Sequence, residues 1–175
     1  MGWKNVKEYY RIEHAVQVTN KGICIGSPYI HDLIVISLQG EVVVPYRDSP
    51  PVSADLARYQ REIDADPAKL RELVLQPDTF TESLSVYTFH NGEIVEKQCE
   101  VYGWPNVTHD GEMMYENRFS PDRDEVIRWA RKDNQIARKW AWERITQLEA
   151  ELSSAKARFQ ELKRQQKSLR SQKSS

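Results

Sequence analysis

Residues 145–169, ITQLEAELSSAKARFQELKRQQKSL, set Ile145, Leu148, Leu152, Ala155, Phe159, Leu162, Gln166 and Leu169 at alternating steps of three and four. That spacing averages 3.5 residues, the period of a coiled coil rather than the wider stripe of a helix lying on a core. So narrow a seam needs a second helix, and no other segment of the chain offers a complementary one. The stretch therefore predicts self-association, a homodimer first, through Ile145, Leu148, Leu152, Ala155, Phe159, Leu162 and Leu169. Ala155 and Gln166 weaken the seam and keep it short. A helix of a different protein, or a tail that orders only on binding, are the alternatives.

Upstream, Ser120-Pro121-Asp122 reads as a helix start, with Asp122, Asp124 and Glu125 favouring the positive end of the helix dipole. Neither proline nor glycine follows, so one helix is expected from Pro121 to about Arg170. Its apolar face broadens towards the N-terminal side to Val126, Trp129, Ala130, Ile136, Ala137, Trp140 and Ala141. That breadth predicts a change of job along the helix, the first half packed on a sheet through Trp129 and Trp140.

The rest reads as α+β, mainly antiparallel. YYRIEHAVQV (9–18) alternates as a half-buried strand, and TNKG supplies a turn at Gly22. A return through ICIG, then LIVISL (33–38) and EVVVPY (41–46), complete a four-stranded meander closed by Pro50-Pro51. Ser53 caps ADLARYQREID with Leu56, Tyr59 and Ile63 on one face, and Asp66-Pro67 opens AKLRELVL with Leu70, Leu73 and Val74 inward. These predict one or two short helices covering the sheet. Asn91-Gly92, between SLSVYTF and EIVEKQCEVY, marks a hairpin, since both central residues of a type I′ turn need positive φ. GWPNVTHDG (103–111) is expected as a loop and EMMYENRF as a last strand. The expected division is an α+β body over 1–120, a helix packed on it over 121–144, and a coiled-coil segment with a basic tail over 145–175.

Composition excludes several classes. The 175 residues are 39% hydrophobic and 29% charged, with no apolar run near the roughly 20 residues of a membrane span. The opening MGWKNVKEYYRIEH has no signal-peptide h-region, so no membrane association and a cytoplasmic location are expected. Cys24 and Cys99 form no CxxC pair, and the spacings that link them to His31 and His109 match no compact zinc pattern. GxSxG, HExxH, the Walker loop and GxGxxG are all absent. The acid pairs Asp64 with Asp66 and Asp110 with Glu112 sit where capping explains them. No enzyme activity, metal or cofactor is expected.

The formal charge of −1 hides an asymmetry: from Lys156 onward there are seven basic residues against Glu161 alone. Lys163, Arg164, Lys167, Arg170 and Lys173 would neutralise nucleic-acid phosphates, but the segment from Lys163 has no aromatic residue for base stacking, and the body is acidic. Within the 103–120 stretch, Trp104, His109, Met113, Met114 and Tyr115 have the composition of a protein-binding anchor. The other reading is that Trp104 and alternate residues of the last strand complete the core.

The organisation from MGWKNVKEYYRI through GWPNVTHDGEMMYENRFS to the charged helical tail resembles small accessory proteins of tailed bacteriophages and prophages. The resemblance carries no active site. It implies a binding protein that modulates or inhibits a host protein, including defence components, by occlusion. The alternative expectation is a nucleic-acid-associated protein using the basic C-terminal helix.

Overall fold

The computed structural model describes residues 1–47 and 53–172. Pro50-Pro51 and Lys173 lie outside the described residues. The fold is α+β with antiparallel sheets and a long C-terminal helix. The chain divides into two compact units, Met1–Ile127 and Arg128–Ser175.

The first unit opens on a helix, α1 (Trp3–Tyr9), where a strand was expected to begin at Tyr9. Trp3, Val6 and Tyr10, at steps of three and four, are all buried. α1 ends without glycine. Arg11 takes φ 49°, its N–H donates to Glu8 O, and that of Ile12 donates to Lys7 O. These are the two bonds of a Schellman C-cap with arginine at the left-handed position. The Arg58 guanidinium donates to the Tyr10 and Arg11 carbonyls, satisfying two more acceptors beyond the helix end.

The meander follows the expected order: β1 (Ala15–Thr19), β2 (Gly22–Gly26), β3 (Ile34–Ile36) and β4 (Val42–Val44), each antiparallel to the next. β2 is buried along its whole length. Glycine is required at its start because Gly22 has φ 122° and an added Cβ would lie 2.2 Å from Ile36 O.

α2 (Ala54–Ala65) and α3 (Pro67–Leu75) start at the predicted caps. Leu56 N–H donates to Ser53 Oγ at 3.3 Å, and Lys69 N–H to Asp66 Oδ1 at 2.9 Å. Leu56, Tyr59 and Ile63 of α2 and Leu70, Leu73 and Val74 of α3 share one apolar cluster with Trp3, Val6, Val16, Ile23, Ile25, Ile34 and Ile36.

β5 (Leu84–His90) and β6 (Glu93–Cys99) form the hairpin signalled by Asn91 and Gly92, which take φ 51° and 85°. A second, small cluster of Val86, Cys99, Met114 and Phe119 lies against it. The expected last strand, EMMYENRF, shrinks to β8 (Met113–Met114), paired with β7 (Asn106–Val107) in the stretch read as a loop. Tyr115 to Phe119 turns instead, with Arg118 and Phe119 N–H donating to Tyr115 O. Tyr87 and Ser120 exchange both backbone hydrogen bonds, tying the next element's approach to the hairpin.

That element is α4 (Arg123–Gln172), which starts two residues later than expected because Ser120 Oγ accepts from Asp122 N–H and Asp122 Oδ1 accepts from Asp124 N–H. Val126 is fully buried, and Trp129 and Ala130 are partly so. Trp140, expected to pack on the sheet, is 70% exposed, and residues 131–170 are exposed throughout. The physical reason lies in the sequence that flanks it. Asp133 stands on the same face as Trp140, between Trp129–Ala130 and Ile136–Ala137, and interrupts the apolar stripe.

Candidate functional site

Two features of the fold have the form of binding surfaces: the exposed seam of α4 and a groove in the first unit.

All seven predicted oligomerisation residues, Ile145, Leu148, Leu152, Ala155, Phe159, Leu162 and Leu169, are exposed on an uninterrupted helix. The larger ones keep between 45% and 64% of their surface in water. Trp142, at 69% exposed, stands immediately before the seam. Isolated large apolar residues on a surface need no explanation, but a continuous row does. Polar side chains along the helix bond to one another: Arg144 to Gln147, Gln147 to Glu151, and Gln165 to Glu161. These links support the helix locally and cover none of the apolar row.

Lys163, Arg164, Lys167 and Arg170 are exposed on the same helix. Lys163 Nζ lies 5.6 Å from the centroid of the Phe159 ring, close enough for a cation–π contact.

The groove, about 450 Å³, is built from residues far apart in the chain. Trp3 Nε1–H donates to His109 O at 2.9 Å. The Phe80 ring stacks on His109 at 3.8 Å, with an interplanar angle of 7°, and lies 6.2 Å from Trp3. Lys4 Nζ stands 5.0 Å from the Phe80 centroid and 2.8 Å from Glu100 Oε1. Burial pushes the Glu100 carboxyl up, but the Lys4 ammonium and the N–H and hydroxyl of Thr81 outweigh it and hold Glu100 below its ordinary range. Lys7, Arg11, Glu8 and Glu13 stand at the rim. The result is an aromatic floor with balanced charge at its edge.

The structure does not bring Trp104, His109, Met113, Met114 and Tyr115 onto one binding face. Met113 and Met114 are 5% and 0% exposed, so neither can anchor a partner; Met114 fills the cluster under the hairpin. Tyr115 is half-buried, its hydroxyl donating to Pro28 O at 2.6 Å. His109 forms part of the groove floor, with its Nε2 buried and unpartnered. Trp104 alone is substantially open, at 38%, and its peptide to Pro105 is cis. Trp3, Lys4, Phe80 and Glu100 escaped the sequence reading because they meet only in the folded chain. The clue available was the aromatic character of Trp3 and Phe80 in otherwise polar surroundings.

Cys24 and Cys99 are buried and form no disulfide, and burial pushes both thiols up, away from the reactive thiolate. Among the described residues no three His, Cys, Asp or Glu side chains gather to hold a metal ion, and no helix is long and apolar enough to cross a membrane. No family model, no curated protein and no solved structure matches this chain.

Proposed function

We propose that this protein is a non-catalytic binding protein that works as a coiled-coil homodimer and presents two copies of its α+β body to a target protein. The observation that carries this reading is the row from Ile145 to Leu169. It is long enough for about three heptads, apolar at nearly every seam position and exposed along its whole length in a single chain. Exposure of that kind is costly in water, and pairing with a second seam removes it at about 25 cal/mol for each Å² covered. Paired bodies bind a multivalent or repeated target with higher avidity without any new contact.

The target class follows the resemblance to phage accessory proteins: a host protein, including a defence component, inhibited by occlusion. The groove of Trp3, Phe80 and His109 supports the body as the contacting part, because it combines aromatic surface with charged residues at its edge. The nucleic-acid alternative has less support, since Lys163 lies over Phe159 and the adjoining turns add no aromatic residue for stacking.

The reading is tested by sedimentation of the full chain over a range of concentrations, followed by affinity purification from bacterial cells. Expected are a two-chain mass and a retained protein that is lost on replacing Lys4 by Glu with the mass unchanged. A one-chain mass at all concentrations would overturn the dimer. Retention unaffected by Lys4→Glu would move the contact surface away from the groove.

A further inference from the structure

From the charges that flank the exposed seam, we infer that the two helices pair antiparallel, with Leu152 of one copy facing Ala155 of the other. The inference rests on the self-association proposed above and goes further by fixing the direction and register of pairing.

With Ile145, Leu152, Phe159 and Gln166 as one set of seam positions and Leu148, Ala155, Leu162 and Leu169 as the other, the flanking positions are fixed. Arg144, Glu151, Arg158 and Gln165 lie on one side, and Glu149, Lys156, Lys163 and Arg170 on the other. All eight are exposed on a continuous helix and available to a second chain.

In a parallel, in-register pair each of Arg144, Glu151, Arg158 and Gln165 meets the residue five places further along the second copy. Arg144 then meets Glu149 and Glu151 meets Lys156, both attractive, but Arg158 meets Lys163 in repulsion. The basic tails, with Lys167 and Arg170, are also laid side by side. The seam layers would place Ala155 on Ala155 next to Phe159 on Phe159, a narrow layer beside a wide one.

In the antiparallel pair the same-side positions face each other. Setting Leu152 opposite Ala155 puts Leu148 opposite Phe159 and Ile145 opposite Leu162, so Ala155 is matched by a leucine instead of a second alanine, and Phe159 by a leucine instead of a second phenylalanine. Glu151 then faces Arg158, and Glu149 faces Lys156, each twice by symmetry. Arg144 meets Gln165, and Lys163 meets the exposed Trp142, a cation–π partner. No like charges meet at these positions. Sliding one copy by a heptad in either direction restores repulsion, bringing Glu151 onto Glu151 in one case and Arg158 onto Arg158 in the other. Charge therefore selects both the direction and the register.

One substitution separates the two directions. Arg158→Glu places an acid against Glu151 in the antiparallel pair but against Lys163 in the parallel one. The dissociation constant of the full-length dimer, measured by sedimentation at low salt, is expected to rise about tenfold, since two symmetric ion pairs become repulsions. The double swap Glu151→Arg/Arg158→Glu is expected to restore it. Helix content by circular dichroism controls for folding. A dimer tightened or unchanged by Arg158→Glu would overturn the antiparallel arrangement while leaving self-association intact. A wild-type chain that sediments as a monomer would overturn the self-association proposal and this one together.

Discussion

The ring of Phe80 lies flat on the imidazole of His109, 3.8 Å between centroids, while the carbonyl of that same His109 accepts from the Trp3 indole. Three segments of the first unit thus meet at one aromatic stack. Because the stack forms the groove floor, replacing Phe80 by Ala is expected to lower the unfolding free energy by about 1–3 kcal/mol, the range for a partly buried aromatic pair plus lost packing. Urea denaturation checks it. A change within experimental error would show that the stack contributes little to holding those segments together.

Two glycines with similar backbone angles make a contrasting pair. Gly92 has φ +85° with open space where a Cβ would be, whereas Gly111 has φ +88° and an added Cβ would lie 2.2 Å from Val18 Cγ2. Gly92→Ala is expected to cost about 1 kcal/mol for the left-handed conformation alone. Gly111→Ala should cost that plus about 1–3 kcal/mol of overpacking. Equal losses in thermal or urea denaturation would contradict the close approach of Gly111 to Val18.

Acid stability divides between two aspartates of opposite sign. Burial pushes the Asp110 carboxyl up, but the Lys97 ammonium at 2.5 Å and the Thr108 hydroxyl outweigh it and hold Asp110 below its ordinary range. Its contribution is present above the unfolded-state value of about 4 and is lost as pH falls through the lower folded value. Burial instead raises Asp78, despite the Asn5 N–H that it accepts, and its Oδ2 is buried without a partner. Its contribution is present below about pH 4 and is lost as pH rises through the folded value. Between pH 6 and pH 3, Asp110→Asn should therefore lose less stability than wild type, and Asp78→Asn should lose more. Urea titrations at the two pH values read the difference, and the reverse order would contradict both assignments.

The basic side chains of α4 are expected to leave nucleic acid unretarded in an electrophoretic assay at about 50 mM salt, where counterion release favours any real phosphate-binding site. A shift that appears there and collapses as salt rises would restore the nucleic-acid reading of Lys163, Arg164, Lys167 and Arg170.

The parts of this fold legible in the sequence are those written in local chemistry. Ser53 and Asp66 each accept the backbone N–H three residues on, as their positions before helical runs predict. Asn91 and Gly92 supply the two positive φ angles of the hairpin. The missed helix α1 shows the limit of such signals: its end is set by Arg11, an arginine in the place where glycine is the usual marker. Trp140 shows a second limit. An aromatic residue at helical spacing looks like core, yet core also needs a continuous face, which Asp133 interrupts. The Met113–Met114 pair failed as an anchor for the opposite reason, because both side chains turned out to be interior. The groove was beyond sequence reasoning, since Trp3, Lys4, Phe80, Glu100 and His109 converge only through tertiary packing.

Covering of the Ile145–Leu169 row by a second copy is the step on which the proposed function rests. Light scattering of the full-length chain beside Leu152→Lys/Leu162→Lys, at several concentrations, tests it directly, since the two substitutions place charges in the seam while touching only exposed positions. A two-chain mass that dissociates on dilution is expected for the first protein and a folded single chain for the second. The same mass for both would contradict it.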